Sequence, residues 1–194
     1  DAGEWTCNDI ARATSWYNEP LNTSTRGKTK CFPRKAIVVA TNSDLFIYDA
    51  KDNSEWMEFD MGASNMADNS SGSRVPSAIM GLNGGIYWSE QGTNGWAAKI
   101  DFIADSEMIW IDTSKRMYNR AINNRNGGSG FDIILSTTEV IVNRAVNDIH
   151  AAVINGKTYI AVATDGGVSV INEDDGTVSN NDQLFKYGGV FISS

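Results

Sequence analysis

The stretch "YIAVATDGGVSVINEDDG", from Tyr159 to Gly176, decides the predicted fold. Its two apolar runs, Tyr159–Ala163 and Val168–Ile171, are separated by an Asp-Gly-Gly turn, and an acidic turn ending in glycine follows. Short apolar runs rich in β-branched residues and joined by such turns are typical of antiparallel hairpins. The stretch contains no nucleophile motif, phosphate-binding loop or metal-ligand spacing, so we interpret it as a structural unit.

Similar stretches begin at Ala36, Ala78 and Ala151. Each contains a short Ala-containing apolar run, a turn with Asn and a second run that carries Tyr. A period of about 40 residues with several antiparallel strands per unit is typical of β-propeller blades. We therefore predict an all-β, β-propeller-like fold of roughly four blade-like antiparallel units, either a small ring or an arc of a larger propeller. An antiparallel sandwich or barrel with a similar number of strands is the alternative.

Composition divides the chain into an irregular arm and a strand-rich body. Residues 1–34 have many turn residues and few β-branched ones, which predicts an N-terminal arm. Residues 35–194 form the predicted propeller-like domain, interrupted by an exposed polar loop at 62–76 and an insertion at 115–130. The chain starts without Met, and both of its ends suggest a processed or partial chain.

The charge of the chain argues against two classes of partner. The formal net charge of the 194 residues is −8. An acidic surface repels nucleic-acid phosphates and anionic lipids, so neither nucleic-acid binding nor docking on a membrane is predicted. No apolar run of about 18 residues is present, and membrane insertion is not predicted either.

The two cysteines, Cys7 and Cys31, both lie in the predicted arm. Either they form a disulfide, which would place the chain in an oxidising or extracellular setting, or they are two free thiols. A zinc site would need further ligands, and the single histidine, His150, is distant in sequence.

Calcium is the one metal that the sequence suggests, and no other cofactor is predicted. The turn "DAKDNSE" offers Asp49 and Asp52, and the turn "NEDDGT" offers Asp174 and Asp175. Several oxygen ligands on a tight turn are what Ca²⁺ prefers, although neither turn has EF-hand spacing.

Tryptophans and acidic residues offer a weak carbohydrate site. Trp96 follows a Thr-Asn-Gly loop and is the best candidate for an exposed ring that stacks on a sugar, together with Trp88 and Glu90. The other interpretation places these rings in the core. Paired carboxylates would permit a glycosidase only if they faced one another across a cleft, and we interpret most of them as solvated surface. His150 is interpreted as structural, and no catalytic triad is predicted.

Two segments resemble large structural proteins of marine bacteriophages. The first is "TSWYNEPLNTSTRG" followed by "FPRKAIVVATNSDLFIYDA", and the second is "VNDIHAAVINGKTYIAVATDGGVSVINEDDGTV". The resemblance implies propeller-like repeats in a tail or fibre component of a virion. We therefore expect a non-enzymatic viral structural module at the virion surface and hence extracellular. It would assemble with other virion proteins or copies of itself and attach to host-surface glycans. A carbohydrate-binding propeller is the alternative, and a propeller glycosidase is the weakest of the three hypotheses.

Overall fold

Every regular element that the structure describes is a β-strand. The computed structural model describes residues 33–41, 44–60, 76–90, 92, 94–102, 106–118, 133–182 and 187–193, except for the side chains of residues 59 and 60. The strands are β1 Ala36–Ala40, β2 Asp44–Asp49, β3 Ser54–Asp60, β4 Pro76–Leu82, β5 Gly85–Glu90, β6 Ala97–Asp101, β7 Ser106–Trp110, β8 Lys115–Tyr118, β9 Ile133–Ser136, β10 Val146–Ile154, β11 Lys157–Thr164, β12 Gly167–Asn172 and β13 Val178–Asp182. The all-β prediction is confirmed. Over these ranges we find no helix with the length and hydrophobicity needed to cross a bilayer.

The strands form three antiparallel sheets in which neighbours follow chain order. The first sheet contains β1–β3, the second β4–β9 and the third β10–β13. Strand β1 packs near β4, and β10 packs near both β4 and β5. Successive antiparallel meanders whose first strands adjoin make a β-propeller-like arrangement. The predicted number of blades stays a prediction, because the second sheet has six strands rather than the four of an ordinary blade.

Two Asn-Gly turns have the backbone geometry that the sequence predicts. Asn83 and Gly84 have φ values of 47° and 72°, and Asn155 and Gly156 have values of 51° and 77°. A two-residue turn with positive φ at both positions matches the twist of the strands that it joins. These turns therefore fix the registers of the β4–β5 and β10–β11 hairpins.

The middle strands of the second sheet are buried on both faces, whereas its edge strand β9 is exposed. Strand β5 shows why, since Ile86 and Trp88 point to one side, Tyr87 points to the other, and all three are buried. The first core lies between the first and second sheets and includes Leu45, Ile47, Trp56, Met57, Ile86, Trp88, Trp96, Ile100 and Phe102. The second core lies between the second and third sheets and includes Tyr87, Trp110, Ile141, Val146, Ile149, Ile160, Val162 and Ile171. Each large side chain of this kind contributes about 1.5–3 kcal/mol on burial.

The first sheet buries one face and leaves the other exposed or half-buried, and the third sheet does the same except at Ala161 and Ala163, which are buried on its outer face. The outer face of the first sheet carries Ile37, Val39, Phe46, Tyr48, Glu55 and Glu58, as the strand registers place them. The outer face of the third sheet carries His150, Lys157, Tyr159, Val168 and Val170. The three sheets therefore form a stack with two end faces.

Residues 187–193, here called the C-terminal strap, run along the outer face of the third sheet. The backbone N–H of Tyr187 donates to the carbonyl of Thr164, at 3.1 Å between N and O. Further along, the N–H of Val190 donates to Asp148 Oδ2 at 2.9 Å. The strap is thus held by hydrogen bonds at both its start and its middle.

Two segment boundaries differ from the predicted ones. Lys115–Tyr118, the start of the predicted insertion, forms β8 and pairs with β7. Its polarity suggested an insertion, but Lys115 is 8% exposed and ion-paired with Glu139, which allows it a place in the sheet. Pro76, the end of the predicted loop, opens β4, a position where a strand tolerates proline. The remainder of the loop and insertion, and residues 1–32 of the arm, lie outside the described residues.

Candidate functional site

A cluster of charged and polar side chains lies between the second and third sheets. Tyr87 of β5 and Lys99 of β6 are directly opposite each other in the sheet, so their side chains share the face that looks toward the third sheet. Asp101 lies two residues beyond Lys99 and shares that face. Glu173 follows β12 and reaches the cluster from the third sheet.

Hydrogen bonds and ion pairs link all four side chains. The Tyr87 hydroxyl donates to Glu173 Oε2 at 2.7 Å. Lys99 Nζ lies 2.9 Å from Asp101 Oδ2 and forms a second ion pair with Glu173 Oε1. The same ammonium lies 5.6 Å from the centroid of the Tyr87 ring, within the range of a cation–π contact. The Glu173 carboxylate therefore provides the polar link between the third sheet and the second.

A second ion pair extends the cluster along the same inter-sheet space. Lys115 Nζ lies 3.0 Å from Glu139 Oε2. Gly176 packs over this lysine so closely that a Cβ at that position would lie 2.9 Å from Lys115 Nζ. A cavity of about 90 Å³ lies between the two ion pairs, and both lysines, Ser106 and Trp110 line it. That space is large enough to hold water beside the ion pairs.

The electrostatics of the cluster favour the protonated forms of its tyrosine and lysine. Burial, and then the nearby Glu173 carboxylate, raise the pKa of Tyr87 far above its usual range. Burial alone would lower the pKa of Lys99, but Asp101 and Glu173 outweigh it, and the pKa of Lys99 is raised. Neither group exchanges a proton readily near neutral pH. The arrangement is therefore suited to joining two sheets rather than to transferring protons.

The carboxylates of the acidic turn after β12 accept hydrogen bonds from nearby backbone and hydroxyl groups. Asp174 Oδ2 accepts the backbone N–H of Thr158 at 2.8 Å. Asp175 Oδ1 accepts both the N–H and the hydroxyl of Thr177, at 3.0 and 2.7 Å, which lowers the pKa of that carboxyl. Asp174 and Asp175 therefore stabilise the turn. Glu173 is the acid of this turn that reaches the ion cluster between the second and third sheets.

The turn between β2 and β3 is built in the same way. Asp49 Oδ1 accepts the N–H of Lys51 at 2.9 Å. Asp52 Oδ1 accepts the N–H and the hydroxyl of Ser54, at 3.0 and 2.6 Å. In the described part of the chain, no three side chains among His, Cys, Asp and Glu are grouped as metal ligands. The carboxylates of both turns therefore make hydrogen bonds within the turns, and calcium binding there stays a prediction.

The tryptophans predicted to contact sugars are in the first core. Trp96 is 3% exposed and Trp88 is 1% exposed, and their rings meet edge to face with centroids 6.0 Å apart. Of the two interpretations of Trp96, an exposed ring or a core ring, the structure supports the core. Glu90, at the end of β5, is half-buried, and its N–H donates to the carbonyl of Trp96 at 3.0 Å. This hydrogen bond holds Trp96 against the end of β5.

The remaining residues singled out in the sequence are the two cysteines and the single histidine. Cys7 and Cys31 lie outside the described residues, so the predicted disulfide stays a prediction. His150 lies on the outer face of the third sheet, and its Nδ1 accepts the N–H of Ile192 at 3.3 Å. This contact gives the histidine a place in holding the C-terminal strap.

Sequence reasoning missed the ion cluster. Glu173 lies 74 residues beyond Lys99, in an acidic turn of the kind that the sequence indicates to be solvated surface. One local signal was present: Lys99 interrupts the otherwise apolar run Ala97–Ile100. A lysine in a strand that is apolar on both sides indicates a buried partner of opposite charge.

Comparison with known proteins adds little. No protein-family model and no curated protein matches the sequence. Among solved structures, dihydro-heme d1 dehydrogenase NirN in complex with DHE aligns over 74% of this chain, with 10% sequence identity and a TM-score of 0.30. The alignment covers 34% of that protein, so this chain spans about a third of its length. Nothing about fold or function follows from a similarity this weak.

Proposed function

We propose that this chain is a non-enzymatic structural module of a virion, of the tail or fibre type. It works by assembling with other virion proteins or with copies of itself, and its location is the virion and hence the extracellular space. The observation that carries the proposal is the concentration of exposed apolar side chains on sheet faces and on one sheet edge.

The exposed edge strand β9 is the first of these surfaces. It is the last strand of the second sheet, and Ile133, Ile134 and Leu135 are all exposed, Ile134 by 49%. An apolar edge strand is a surface to which another chain readily adds. The two end faces of the stack add further apolar surface, through Ile37 and Val39 at one end and Val170 and Phe191 at the other. Such patches are typical of proteins that assemble.

The non-enzymatic part of the proposal is supported by the chemistry of the ion cluster. Tyr87 and Lys99 both hold their protons more tightly than usual. A catalytic acid or base near neutral pH needs the opposite adjustment. The turn acids are also occupied by hydrogen bonds within their own turns. The two carboxylates that the ion cluster brings together, Asp101 and Glu173, are both ion-paired to Lys99, an arrangement that binds the lysine and leaves the glycosidase alternative weak.

The carbohydrate-binding alternative loses its proposed residues. Trp88 and Trp96 are buried, and Glu90, the third residue of the predicted site, is half-buried. Attachment to host-surface glycans remains part of the proposal through the resemblance to phage structural proteins. An acidic chain also makes nucleic acid an unsuitable partner.

The proposal is tested by asking whether the chain is part of a particle. Particles from the source of this sequence would be purified on a density gradient, and the protein content of each fraction measured by mass spectrometry. We expect peptides of this chain to peak in the particle fractions. Their presence only in fractions without particles would overturn the proposal.

A further inference from the structure

We propose that the C-terminal strap is a pH-sensitive clasp on the outer face of the third sheet. The clasp is closed while His150 is neutral, and a proton on His150 opens the half of the strap that follows Gly189. This device goes beyond the proposed virion function and does not depend on it. The groups that hold the two halves of the strap, and the apolar surface beneath them, support it.

The first half of the strap is anchored by groups that do not titrate. The N–H of Tyr187 donates to the carbonyl of Thr164, at 3.1 Å between N and O. The carbonyl of Tyr187 in turn accepts a hydrogen bond from Asn147 Nδ2 at 2.8 Å. Backbone amides and the side-chain amide of asparagine have no proton to gain or lose near neutral pH. We therefore expect this anchor to hold across that range of pH.

The second half of the strap is held by two acceptors that do titrate. The N–H of Val190 donates to Asp148 Oδ2 at 2.9 Å, and the N–H of Ile192 donates to His150 Nδ1 at 3.3 Å. Asp148 and His150 are two residues apart on β10, so their side chains stand on the same face of the sheet. The ring of Phe191, between the two donors, lies 4.6 Å from the His150 ring.

The imidazole can accept the N–H of Ile192 in one protonation state alone. Neutral histidine has one ring nitrogen with a free lone pair, whereas the imidazolium carries an N–H on both nitrogens and accepts no hydrogen bond. A proton on His150 Nδ1 would place one donor against another. Histidine is the side chain that ordinarily changes its charge between about pH 5 and 8. The contact is therefore made at the alkaline end of that range and lost at the acidic end.

The groups around His150 leave it as the one that changes charge in this range. The titratable side chains near it are Asp148 on β10, Lys157 and Tyr159 on β11, and Tyr187 in the strap. Carboxyl, lysine and tyrosine side chains ordinarily titrate outside the range of histidine. The chain also has a single histidine. A change of charge on this face between about pH 5 and 8 is therefore assigned to His150.

Two glycines separate the anchor from the half that opens. Gly188 and Gly189 follow Tyr187 directly, and a Cβ added at Gly188 would meet nothing within 4 Å. Glycine has more backbone freedom than any other residue. Residues 190–193 can therefore swing away from the sheet while Tyr187 stays in place.

Opening of the clasp uncovers apolar side chains on the third sheet. Ala161 and Ala163 are 2% and 0% exposed although they belong to its outer face, where they lie opposite His150 and Asp148. The strap is bound to those two residues and so covers the alanines as well. The protein therefore has a surface that is covered when His150 is neutral and uncovered when it is charged.

Amide hydrogen exchange of the full 194-residue chain, followed by NMR from about pH 8 to about pH 5, tests the clasp. Protection factors remove the intrinsic effect of pH on exchange. We expect the protection of the Ile192 amide to fall about fivefold, the size expected for the loss of one hydrogen bond. The Tyr187 amide should keep its protection. The ring signals of His150, the single histidine, should titrate over the same interval.

Three variants isolate the role of the imidazole. His150→Asn keeps an acceptor, the amide oxygen, but cannot titrate, so the Ile192 amide should stay protected at every pH. His150→Phe keeps a ring beside Phe191 but offers no acceptor, so the same amide should be weakly protected even at about pH 8. Asp148→Asn is the matched control, because it removes the other titratable acceptor of the strap and should leave the pH step at Ile192 in place.

Three results would overturn the inference. They are an Ile192 amide that is equally protected at both ends of the pH range, an equal fall in protection at Tyr187 and Ile192, and the same fall in His150→Asn as in wild type. The first two come from the wild-type protein, so the test stands even if a variant does not fold. None of them depends on whether the chain is found in particles, and absence from particles would leave these measurements unaffected.

Discussion

At the scale of single residues, Gly95 decides where Trp96 lies. A Cβ at this position would meet the carbonyl oxygen of Glu90 and would lie 2.8 Å from that of Arg144. Only a residue without a side chain lets the loop approach two backbone segments so closely. The sequence Thr-Asn-Gly-Trp suggested an exposed loop edge, but the missing side chain permits the opposite, a loop packed tightly enough to bury the indole.

We predict that Gly95→Ala destabilises the protein by about 1–3 kcal/mol, the usual cost of overpacking. Both atoms that the new methyl group would meet belong to the backbone, so neither can rotate away. Urea unfolding followed by tryptophan fluorescence measures the change. Gly188→Ala is the control, because a Cβ there meets nothing within 4 Å. Equal stability of the two variants would contradict the prediction.

The raised pKa values of Tyr87 and Lys99 predict a loss of stability in alkali. Their ordinary pKa values are about 10 and 10.4, and the folded protein raises both. Above about pH 10 the unfolded chain releases protons that the folded chain retains, so the free energy of unfolding falls as the pH rises. Below that pH the contribution of both groups is fully present.

Urea unfolding from pH 8 to pH 11 measures this effect, with Tyr87→Phe as the comparison. The variant should be less stable than wild type at pH 8, because Glu173 loses a hydrogen bond. Its free energy of unfolding should also fall less steeply above pH 10, because the variant lacks the Tyr87 hydroxyl, whose proton is released on unfolding at that pH. Parallel curves for the two proteins would show that Tyr87 is not linked to folding.

At the scale of elements, strand β5 shows what alternation does when a sheet is covered on both sides. Ile86 and Trp88 enter the first core, and Tyr87 enters the second. An apolar run of this kind predicts a strand, but it does not say which face a ring enters. The sequence therefore predicted the hairpin and its Asn-Gly turn, and left the burial of the tryptophans open between core and surface.

We predict that Trp96→Ala destabilises the fold by about 3–5 kcal/mol, the range for removing a large buried ring. The indole packs against Trp88, and its removal leaves a cavity between the first and second sheets. Thermal unfolding measures the change in Tm. Phe191→Ala is the control, because that ring is 76% exposed. A small and equal effect in both variants would mean that Trp96 is not part of the core in solution.

At the scale of the whole molecule, the second sheet joins two cores into one folding unit. It contributes Trp88 and Ile100 to the first core, and Tyr87 and Trp110 to the second. Unfolding of either outer sheet would expose one face of the middle sheet to water, at a cost of about 25 cal/mol for each Å² of apolar surface. The stability of each core therefore depends on the other.

We predict a single cooperative unfolding transition. Tryptophan fluorescence and far-ultraviolet circular dichroism should give the same midpoint in urea. In a variant with Trp5, Trp16 and Trp110 replaced by Phe, the remaining tryptophans, Trp56, Trp88 and Trp96, all belong to the first core, so its fluorescence reports on that core alone. The midpoint by fluorescence and that by circular dichroism should still coincide in this variant. Two separated transitions would show that the sheets unfold independently.

The sequence by itself determined the strands, the Asn-Gly turns and the all-β, propeller-like class, because alternation and turn chemistry act between residues that are close in the chain. Tertiary structure decided the rest. Tyr87, Lys99 and Glu173 meet only because two sheets stack, and Trp96 is buried only because its loop folds against Arg144. Burial and ion pairing depend on residues distant in sequence, and no local pattern records which of them become neighbours.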